Sequence, residues 1–527
     1  MSTADRLGRV GLPAPIHELT AHHWDVVVVG GGHNGLTAAA YLARAGRSVL
    51  VLERRDQLGG ACTLEQPFPD PRYVISPCAY LCGLLHPLVI DELDLVRHGY
   101  RVHTCDPSQW SPFVDGTSFS DWKDPARTAE SVRRISPADV DGFFAYQDVY
   151  TRIRSRLRSL DPAHDTWVGE SPDEEQLRSM RDGDREAIEV LFDLSIAYLV
   201  ERHVKDERLR AALHGAGVIG TWAGPRDPGT AAVRLMHNLG LIGGWGYVAG
   251  GMGMVSFALA DAAIEAGAAL GCGLPVSAIE PGIGVRLAGG DLIRAAAVVS
   301  NADPRRTLAL VGEAAPSDWK ARIEAWDMRS PVLKLNCGLT HLPSFTAAAA
   351  GTDNGHVYRA MVVLSTGIDD TQAAFEACER GLPAPDWCEL YFQTAYERSA
   401  VPPGRHTMSV FAQYAPYTLA SGDWDSRRDE IAGRILDRIA LFAPDVRSCV
   451  ECWELLGPPD IEAKVGLTGG HIFQGSCLPS QMWSRRLGAR TPIPGLYLCG
   501  AATHPGGSVI AINGRNAAMA VLADAGA

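Results

Sequence analysis

Three glycines near the N-terminus have the spacing that lets a protein main chain approach a dinucleotide. Gly30, Gly32 and Gly35 fit the pattern G-x-G-x-x-G. In this pattern the first glycine allows a tight turn, the second lets a pyrophosphate come close, and the third lets a helix pack on a strand. Glu53 follows about twenty residues later, where a carboxylate can accept both hydroxyls of an adenosine ribose. The spacing therefore predicts a dinucleotide site formed by Gly30, Gly32, His33, Asn34, Gly35 and Glu53.

The flanking residues predict the elements that must position these groups. Four β-branched residues, Val26–Val29, indicate a buried parallel strand, and the alanine-rich stretch 36–45 indicates a helix. A second strand over 48–52 ends at the ribose carboxylate. Residues 215–220 match the same glycine pattern, but they follow a charged helical stretch and run into a proline-containing turn. We therefore expect the first match, and not the second, to bind a nucleotide.

A glycine doublet, Gly59-Gly60, follows the ribose carboxylate and suits a second approach of main chain to phosphate, which is more typical of FAD enzymes than of nicotinamide enzymes. Later stretches return to the same layer: a glycine-rich turn before the predicted helix 255–267, predicted strands over 275–279 and 295–299, and a C-terminal strand, turn and helix over 495–522. They add these expected cofactor contacts: Arg54, Gly59, Gly60, Ala61, Gly251, Met252, Val276, Asn301, Gly500, Ala501, Pro505, Gly506, Gly507 and Ser508.

The chain of 527 residues is too long for a single core, so two domains are expected. We predict the α/β fold class, a Rossmann-type (GR2-like) FAD-binding domain with an inserted α+β substrate domain. The FAD-binding domain is discontinuous and takes residues 20–106, 243–315 and 456–527. The substrate domain takes 107–242, predicted as helices such as 138–160 and 185–204, and 316–455, predicted as an antiparallel sheet with strands 332–339 and 406–413 and the helix 425–442.

Charge and hydropathy limit the partners. A net charge of −13 argues against nucleic acid, because binding to phosphates needs basic surface. The first two dozen residues lack the apolar run of a secretory signal, so a cytoplasmic location is expected. Residues 241–260 are uncharged but contain six glycines, which favours a loop and a buried helix over a membrane span.

Twelve cysteines are scattered along the chain, as reduced core thiols usually are. Cys449 and Cys452 form one C-x-x-C pair inside the predicted strand 448–455, where alternate side chains would point to opposite faces. The sequence has no second pair or histidine cluster near them. We therefore expect no metal site.

Taken together and in order, these motifs resemble those of the phytoene-desaturase-like flavoproteins. The likeness extends from about Trp24 to the C-terminal turn and is strongest to the branch of pyridine nucleotide-disulphide oxidoreductase domain-containing proteins. It implies non-covalent FAD, a substrate domain beside it, and oxidation or isomerisation of hydrophobic compounds such as isoprenoids. It also assigns the turn His504–Gly507 to the flavin ring. Where carotenoid desaturases tend to continue this turn with glycine, Ser508–Ala511 is bulkier here, which argues against a long linear polyene.

The resulting hypothesis is dehydrogenation (desaturation) of a hydrophobic small molecule by hydride transfer to flavin N5, with O2 or a quinone as the electron acceptor. A redox-neutral isomerase or saturase, an amine oxidase-type reaction and a non-catalytic flavin-binding scaffold stay open, as do peripheral membrane contact and a homo-oligomer. Candidate catalytic residues are His504, Tyr247 and His237. For His504 the alternative is a hydrogen bond to main chain that holds the turn, and for the other two it is packing.

Overall fold

The structure is a computed structural model that describes residues 2–179, 184–241, 243–348 and 354–526. Its strands are β1 (His23–Val29), β2 (Val49–Leu52), β3 (Val102–Thr104), β4 (Gln109–Pro112), β5 (Ser118–Asp121), β6 (Gly246–Val248), β7 (Ala269–Gly271), β8 (Val276–Glu280), β9 (Gly284–Leu287), β10 (Leu292–Ser300), β11 (Val332–Leu339), β12 (Met361–Leu364), β13 (Trp387–Tyr391), β14 (His406–Gln413), β15 (Val450–Leu456) and β16 (Leu496–Leu498).

Its helices are α1 (Ile16–Ala21), α2 (His33–Arg44), α3 (Pro87–Glu92), α4 (Pro125–Ile135), α5 (Val140–Leu157), α6 (Glu174–Ser179), α7 (Arg185–Phe192), α8 (Ile196–His203), α9 (Glu207–Leu213), α10 (Thr230–Asn238), α11 (Gly253–Glu265), α12 (Pro304–Val311), α13 (Ser317–Glu324), α14 (Gly355–Arg359), α15 (Ile368–Glu379), α16 (Trp424–Ala440), α17 (Val446–Cys449), α18 (Pro458–Val465) and α19 (Ile512–Asp524).

The first sheet is built around β1, whose valines are buried on both faces of the sheet. β1 pairs in parallel with β2 on one side and with β10 on the other. β7 and β16 extend the parallel part, and the antiparallel strands β9 and β8 continue from the first half of β10. Helices α2, α11 and α19 pack together in the core on one face of this sheet. This arrangement confirms the predicted α/β fold class.

The second sheet has the order β15-β11-β14-β13-β12-β4-β5 and is antiparallel except where β12 meets β4. One of its faces packs on α16 in a separate apolar core. Its strands come from residues 109–121 and 332–456, whereas the strands of the first sheet come from 23–52, 269–300 and 496–498. The two sheets thus use different stretches of chain, and the domain boundaries themselves stay a prediction.

The structure differs from the sequence-based expectation in four places. The stretch that was expected to be helical after residue 107 begins with β4 and β5, because their half-polar pattern suits an edge hairpin of the second sheet. The predicted helix 185–204 is divided into α7 and α8, because Ser195 accepts a hydrogen bond from the amide of Tyr198 and starts a new helix. Cys449 ends α17, so the strand there starts only at Val450. The predicted loop 243–253 contains β6, which pairs with β3.

Within the described parts of the chain, no helix combines the length and the apolar character that crossing a membrane would require. Residue 242, inside the uncharged stretch 241–260, lies outside the described residues.

Candidate functional site

The parallel strands of the first sheet end at one edge, and the predicted cofactor residues follow directly after them. β1 is followed by Gly30, β2 by Glu53 and β10 by Asn301, and Gly500 comes two residues after β16. The carboxyl ends of parallel strands are where open α/β sheets bind their ligands. Four distant stretches of chain therefore meet at one candidate site.

The first glycine turn has a main-chain conformation and a close packing that only glycine allows. Gly30 has a φ of +103°, which favours glycine. A Cβ on Gly32 would lie 2.8 Å from Nδ2 of Asn301, and one on Gly35 would collide with the carbonyl of Gly30. Asn301 donates a hydrogen bond to that same carbonyl at 3.3 Å. The turn leads into the N-terminus of α2, where main-chain amides can bind an anion.

Glu53 lies beside this turn and is only 6% exposed. Its carboxylate accepts hydrogen bonds from the amides of Gly31 at 2.8 Å and Arg55 at 2.9 Å. It is therefore fixed next to the turn, as a ribose contact requires. Arg54 is oriented differently, because its guanidinium donates to two carbonyls at the end of α18. The hydrogen bonds of the Arg54 side chain are thus made to α18, and its contact with the cofactor stays a prediction.

Gly59 and Gly60 form a second turn packed against the first. The amide of Gly59 donates to the carbonyl of Gly31 at 2.8 Å, and both glycines of the doublet have positive φ. The carbonyl of Ala61 accepts a hydrogen bond from the amide of Ala79 at 3.1 Å. Main chain from two separate turns therefore borders the same space.

The glycine-rich turn before α11 joins this region. Met252 follows Gly251, and its amide donates to the hydroxyl of Ser76 at 2.9 Å. Val276 is the first residue of β8. Two residues before it, the amide of Leu274 donates a hydrogen bond to the main-chain carbonyl of Glu53. Val276 is thus near the position expected for the adenosine.

The C-terminal turn is held by two buried side chains that the sequence did not reveal as site residues. Asn513 donates from Nδ2 to the carbonyls of Thr503 at 3.0 Å and Gly506 at 3.0 Å. Arg486 donates to the carbonyl of Ala501 at 2.6 Å. Neither residue lies in a recognisable motif, since their partners are fixed only by the fold. Together they shape the stretch that carries the predicted contacts Gly500, Ala501, Pro505, Gly506, Gly507 and Ser508.

Directly after this turn, three residues other than glycine adopt left-handed main-chain conformations. These residues are Ser508, Val509 and Ala511, with φ of +82°, +56° and +65°. Such conformations cost free energy in residues with a Cβ, and they concentrate at functional sites. The bulkier sequence noted at this position is therefore also a strained one.

His504 is buried in the C-terminal turn and its ring bonds to main chain. Its Nε2 lies 2.6 Å from the carbonyl oxygen of Thr166, so Nε2 carries the proton and donates it. Burial lowers the pKa of this imidazole to about 4, so it is neutral near pH 7. This geometry corresponds to the structural alternative, in which the histidine holds the turn.

His237 lies close to the same turn but bonds differently. Its Nε2 is buried with no hydrogen-bond partner among the described residues. The ring contacts those of Phe473 and Trp245, with centroids 5.8 and 6.1 Å away. The preceding residue, Met236, packs against Gly506 of the turn, where a Cβ on that glycine would project. Burial lowers the pKa of His237 to about 4. It is therefore a neutral imidazole with an unused nitrogen near the turn.

Tyr247 lies apart from the two histidines. Its hydroxyl oxygen accepts a hydrogen bond from the amide of Phe392 at 3.1 Å, and burial raises the pKa of its phenol well above the usual value. The phenol is thus protonated and fixed, and its ring lines a cavity. The structure brings His504 and His237 to one turn and Tyr247 to the cavity wall.

Unsatisfied polar atoms at the edge of the first sheet fit a bound dinucleotide. Besides His237, the side-chain oxygens of Asn34 and Asn513 are buried without partners among the described residues. Unpaired buried polar atoms are costly unless a ligand or water bonds to them. His33, at the start of α2, is also desolvated, and burial lowers its pKa to about 4. These side chains provide acceptors for such a ligand, and the main-chain amides at the start of α2 provide donors.

A cavity lies between the second sheet and the Gly250-Gly251 turn. Ser76 and Tyr247, which lies on β6, line it together with residues of strands β11, β13 and β14. Tyr80 stacks on Tyr391 in its wall, with ring centroids 4.3 Å apart. The wall has three tyrosines, Tyr80, Tyr247 and Tyr391, and seven polar side chains, which are Ser76, Asn336, Gln393, Thr394, Glu397, Thr407 and Ser409.

Two buried ionisable side chains share the face of the second sheet that borders this cavity. Lys334 is two residues before Asn336 on β11, and Glu389 is two residues before Tyr391 on β13, so each pair lies on one face. Lys334 donates to the hydroxyl of Ser409, and burial lowers its pKa to about 7. Glu389 accepts a hydrogen bond from Tyr391, and burial raises its pKa to about 7.

These two residues were missed by sequence reasoning. The only signal was a charged residue inside a strand that is otherwise typical of a core, such as Lys334 between Leu333 and Leu335. Both side chains titrate near neutral pH, which is the range useful for proton transfer.

Comparison with known proteins bears on the chemistry of this site. The family described as flavin containing amine oxidoreductase matches residues 35–522. A mouse protein (Mus musculus) named pyridine nucleotide-disulfide oxidoreductase domain-containing protein 2 is 32% identical, over 95% of this chain and 94% of its own. Hydroxyneurosporene desaturase of Cereibacter sphaeroides is 26% identical, over 95% of this chain and 97% of its own.

Among solved structures, putrescine oxidase bound to putrescine superposes with a TM-score of 0.56 at 16% identity. The superposition covers 96% of this chain and 100% of that one. At this identity the likeness concerns the fold alone, and the chain shares the fold of putrescine oxidase. The resemblance seen in the sequence motifs is confirmed by the family match and by the desaturase relative.

Proposed function

Because the chain belongs to the family of flavin-containing amine oxidoreductases and is thus an FAD-dependent oxidoreductase, we propose that it dehydrogenates a hydrophobic small molecule in the cavity beside the Gly250-Gly251 turn. The observation that carries the proposal is this cavity, which has tyrosine walls and lies between the cofactor edge and a sheet face with a buried lysine. The relative named as a hydroxyneurosporene desaturase also supports an apolar substrate.

The glycine turns and Glu53 would hold the cofactor. The main-chain amides at the start of α2 would donate to its phosphates. The unpartnered oxygens of Asn34 and Asn513 would accept hydrogen bonds from its hydroxyl groups. Bound FAD supplies the two-electron acceptor for the reaction. The C-terminal turn, fixed by Asn513 and Arg486, would present the ring system to the substrate.

The cavity walls would select and orient the substrate. Tyr80, Tyr247 and Tyr391 offer apolar ring surface and exclude water, which favours an apolar molecule. Asn336 and Ser409 would bond a polar group at one end of it. Holding a carbon–hydrogen bond in a fixed orientation lowers the entropic part of the barrier.

Lys334 is the proposed acceptor of the proton that dehydrogenation releases. With a pKa of about 7 its amine is partly unprotonated at neutral pH, unlike an ordinary lysine. Its hydrogen bond to Ser409 directs it toward a hydroxyl that lines the cavity. His237 is the second candidate, because its Nε2 has no partner among the described residues.

The proposed electron acceptor is O2 or a quinone. The second glycine-rich match, residues 215–220, packs tightly at Gly215 against the ring of Trp387, which leaves no room there for a nucleotide. This contact supports an acceptor other than a nicotinamide nucleotide. A cytoplasmic location is part of the same proposal.

The test is anaerobic reduction of the FAD-loaded protein by pools of hydrophobic metabolites, followed by the flavin absorbance. Bleaching by one pool, and recovery when air or a quinone is added, is the expected result. Product formation without bleaching and without an acceptor would instead identify a redox-neutral isomerase or saturase. Bleaching by amines alone would identify an amine oxidase, and a flavin that no pool reduces would favour a scaffold.

A further inference from the structure

The structure brings together three metal-ligating side chains just beyond the C-terminal end of β11. His341 follows β11 by two residues, and Cys449 ends α17, which begins directly after Asp445. One ligand atom from each of the three lies within 4.8 Å of the others. The sequence analysis expected no metal site at the Cys449/Cys452 pair because no histidine is near it in the chain. The fold supplies that histidine from more than a hundred residues away.

We propose that His341, Asp445 and Cys449 form a zinc-binding site. Nε2 of His341 and Sγ of Cys449 are 3.3 Å apart. Tetrahedral zinc, with bonds of about 2.0–2.1 Å to nitrogen and about 2.3 Å to sulfur, would separate these atoms by about 3.6 Å. The side chains therefore need only a small shift to take up the ion. Mixed nitrogen, sulfur and oxygen ligands suit zinc better than magnesium or calcium.

The groups around the three ligands already orient them. The hydroxyl of Thr340 lies 2.9 Å from Nδ1 of His341, which leaves Nε2 directed at the thiol. The amide of Ser344 donates to Oδ1 of Asp445 at 2.8 Å, so Oδ2 is the oxygen that can ligate. The amide of Thr340 also donates to the carbonyl of Cys449 at 2.8 Å and ties the two segments together.

Access and burial differ across the cluster in a way that suits an ion entering from solvent. His341 is exposed, Asp445 is half-buried and Cys449 is buried. Zinc would bind with three protein ligands and one water on the open side. The thiol of Cys449 would lose its proton to solvent as the sulfur–zinc bond forms, with no change in oxidation state. Binding would join β11 and α17 by a further link.

The experiment is titration of the full-length, FAD-loaded protein with Zn²⁺ in competition with a chromophoric chelator. We expect one tight site per chain, with release of about one proton at neutral pH. Co²⁺ in its place should give a thiolate-to-metal charge-transfer band. Both Cys449→Ser and His341→Ala should weaken zinc binding at least about 100-fold, and Thr340→Val about 10-fold or more.

Cys452→Ser is the matched control, because it removes the other cysteine of the same C-x-x-C pair, which is not part of the cluster. It should bind zinc like the native chain. Circular dichroism and flavin content show whether each variant is folded, independently of zinc. Absence of a stoichiometric site, equal affinity in native and Cys449→Ser protein, or loss of the site in Cys452→Ser would each overturn the proposal.

Discussion

Lys334 is fully enclosed, yet it pairs with a hydroxyl rather than with a carboxylate. We expect Lys334→Met to keep FAD bound and to lower kcat/KM about 100-fold or more, which is the usual contribution of a proton acceptor. In the native enzyme kcat/KM should rise as the pH increases through about 7, because the amine loses its proton there. This rise should vanish in the variant.

The measurement is the rate of anaerobic flavin reduction on both sides of pH 7, with the substrate found by screening. Lys320→Met, which removes an exposed lysine on α13, is the control and should behave like the native enzyme. A pH-dependent rise that persists in Lys334→Met would show that another group accepts the proton.

Glu389 should make stability depend on pH. Burial raises its pKa from 4.5 to about 7, with only Tyr391 bonded to it. Between these values the folded chain keeps a proton that the unfolded chain has lost, so the free energy of unfolding falls as the pH rises. Glu389→Gln does not titrate and should gain up to about 3 kcal/mol relative to native protein, reached above pH 7.

Denaturant unfolding at pH values below 4.5, between 4.5 and 7, and above 7 measures this difference. Glu376→Gln, an exposed change on α15, is the matched control. A difference for Glu389→Gln that stays constant over this pH range would mean that folding does not raise the pKa of the carboxyl.

Glu53 is the residue that the sequence predicts to bind the ribose hydroxyls of the cofactor. Glu53→Gln keeps its shape but removes the charge that accepts two amides and the expected ribose hydroxyls. We expect FAD to bind about tenfold more weakly, since charged hydrogen bonds contribute about 1.5–3 kcal/mol. Fluorescence titration of apoprotein with FAD measures the effect. The exposed Asp56→Asn should leave the affinity unchanged, and equal affinities for both variants would exclude the ribose contact.

At the level of elements, the sequence predicted the strands and helices whose hydrophobic or glycine pattern is regular over a short stretch of chain. β11 and β14 match the predicted strands residue for residue, and β1, α2 and β2 follow from valines, glycines and alanines. The hairpin of β4 and β5 at one edge of the second sheet was missed. Its strands are short and half-polar, and β4 pairs with β12, which is far away in sequence. Lys334, Arg486 and Asn513 were missed for the same reason, since only tertiary contacts give them a role.

The close contact of α19 with α2 offers a test of how elements support the site. A Cβ on Gly514 would collide with the carbonyl of Asn34. Gly514→Ala should therefore push the helices apart at the start of α2 and reduce the FAD retained on purification. Gly488→Ala, which adds a Cβ where nothing lies within 4 Å, is the control. Full retention of FAD by Gly514→Ala would show that the two helices can separate without harm to the site.

At the level of the whole molecule, FAD should stabilise the fold as a ligand of the folded state only. At 100 times its dissociation constant it adds about 2.7 kcal/mol to the free energy of unfolding. We expect the melting temperature of apoprotein to rise by a few degrees on addition of FAD, and by less for Glu53→Gln at the same concentration. A melting temperature that is independent of FAD would mean that the cofactor also binds unfolded chain or does not bind between these segments.

The first sheet has a consequence for how the protein is made. β1 leaves the ribosome early, but its neighbour β10 comes after residue 290, and β16 and α19 come only after residue 495. The pocket edge therefore cannot be completed during most of translation, because β1 has only β2 to pair with until β10 is made. Cofactor capture is then a late event in biosynthesis, and cells short of riboflavin should accumulate chains that are finished in length but vulnerable to proteases.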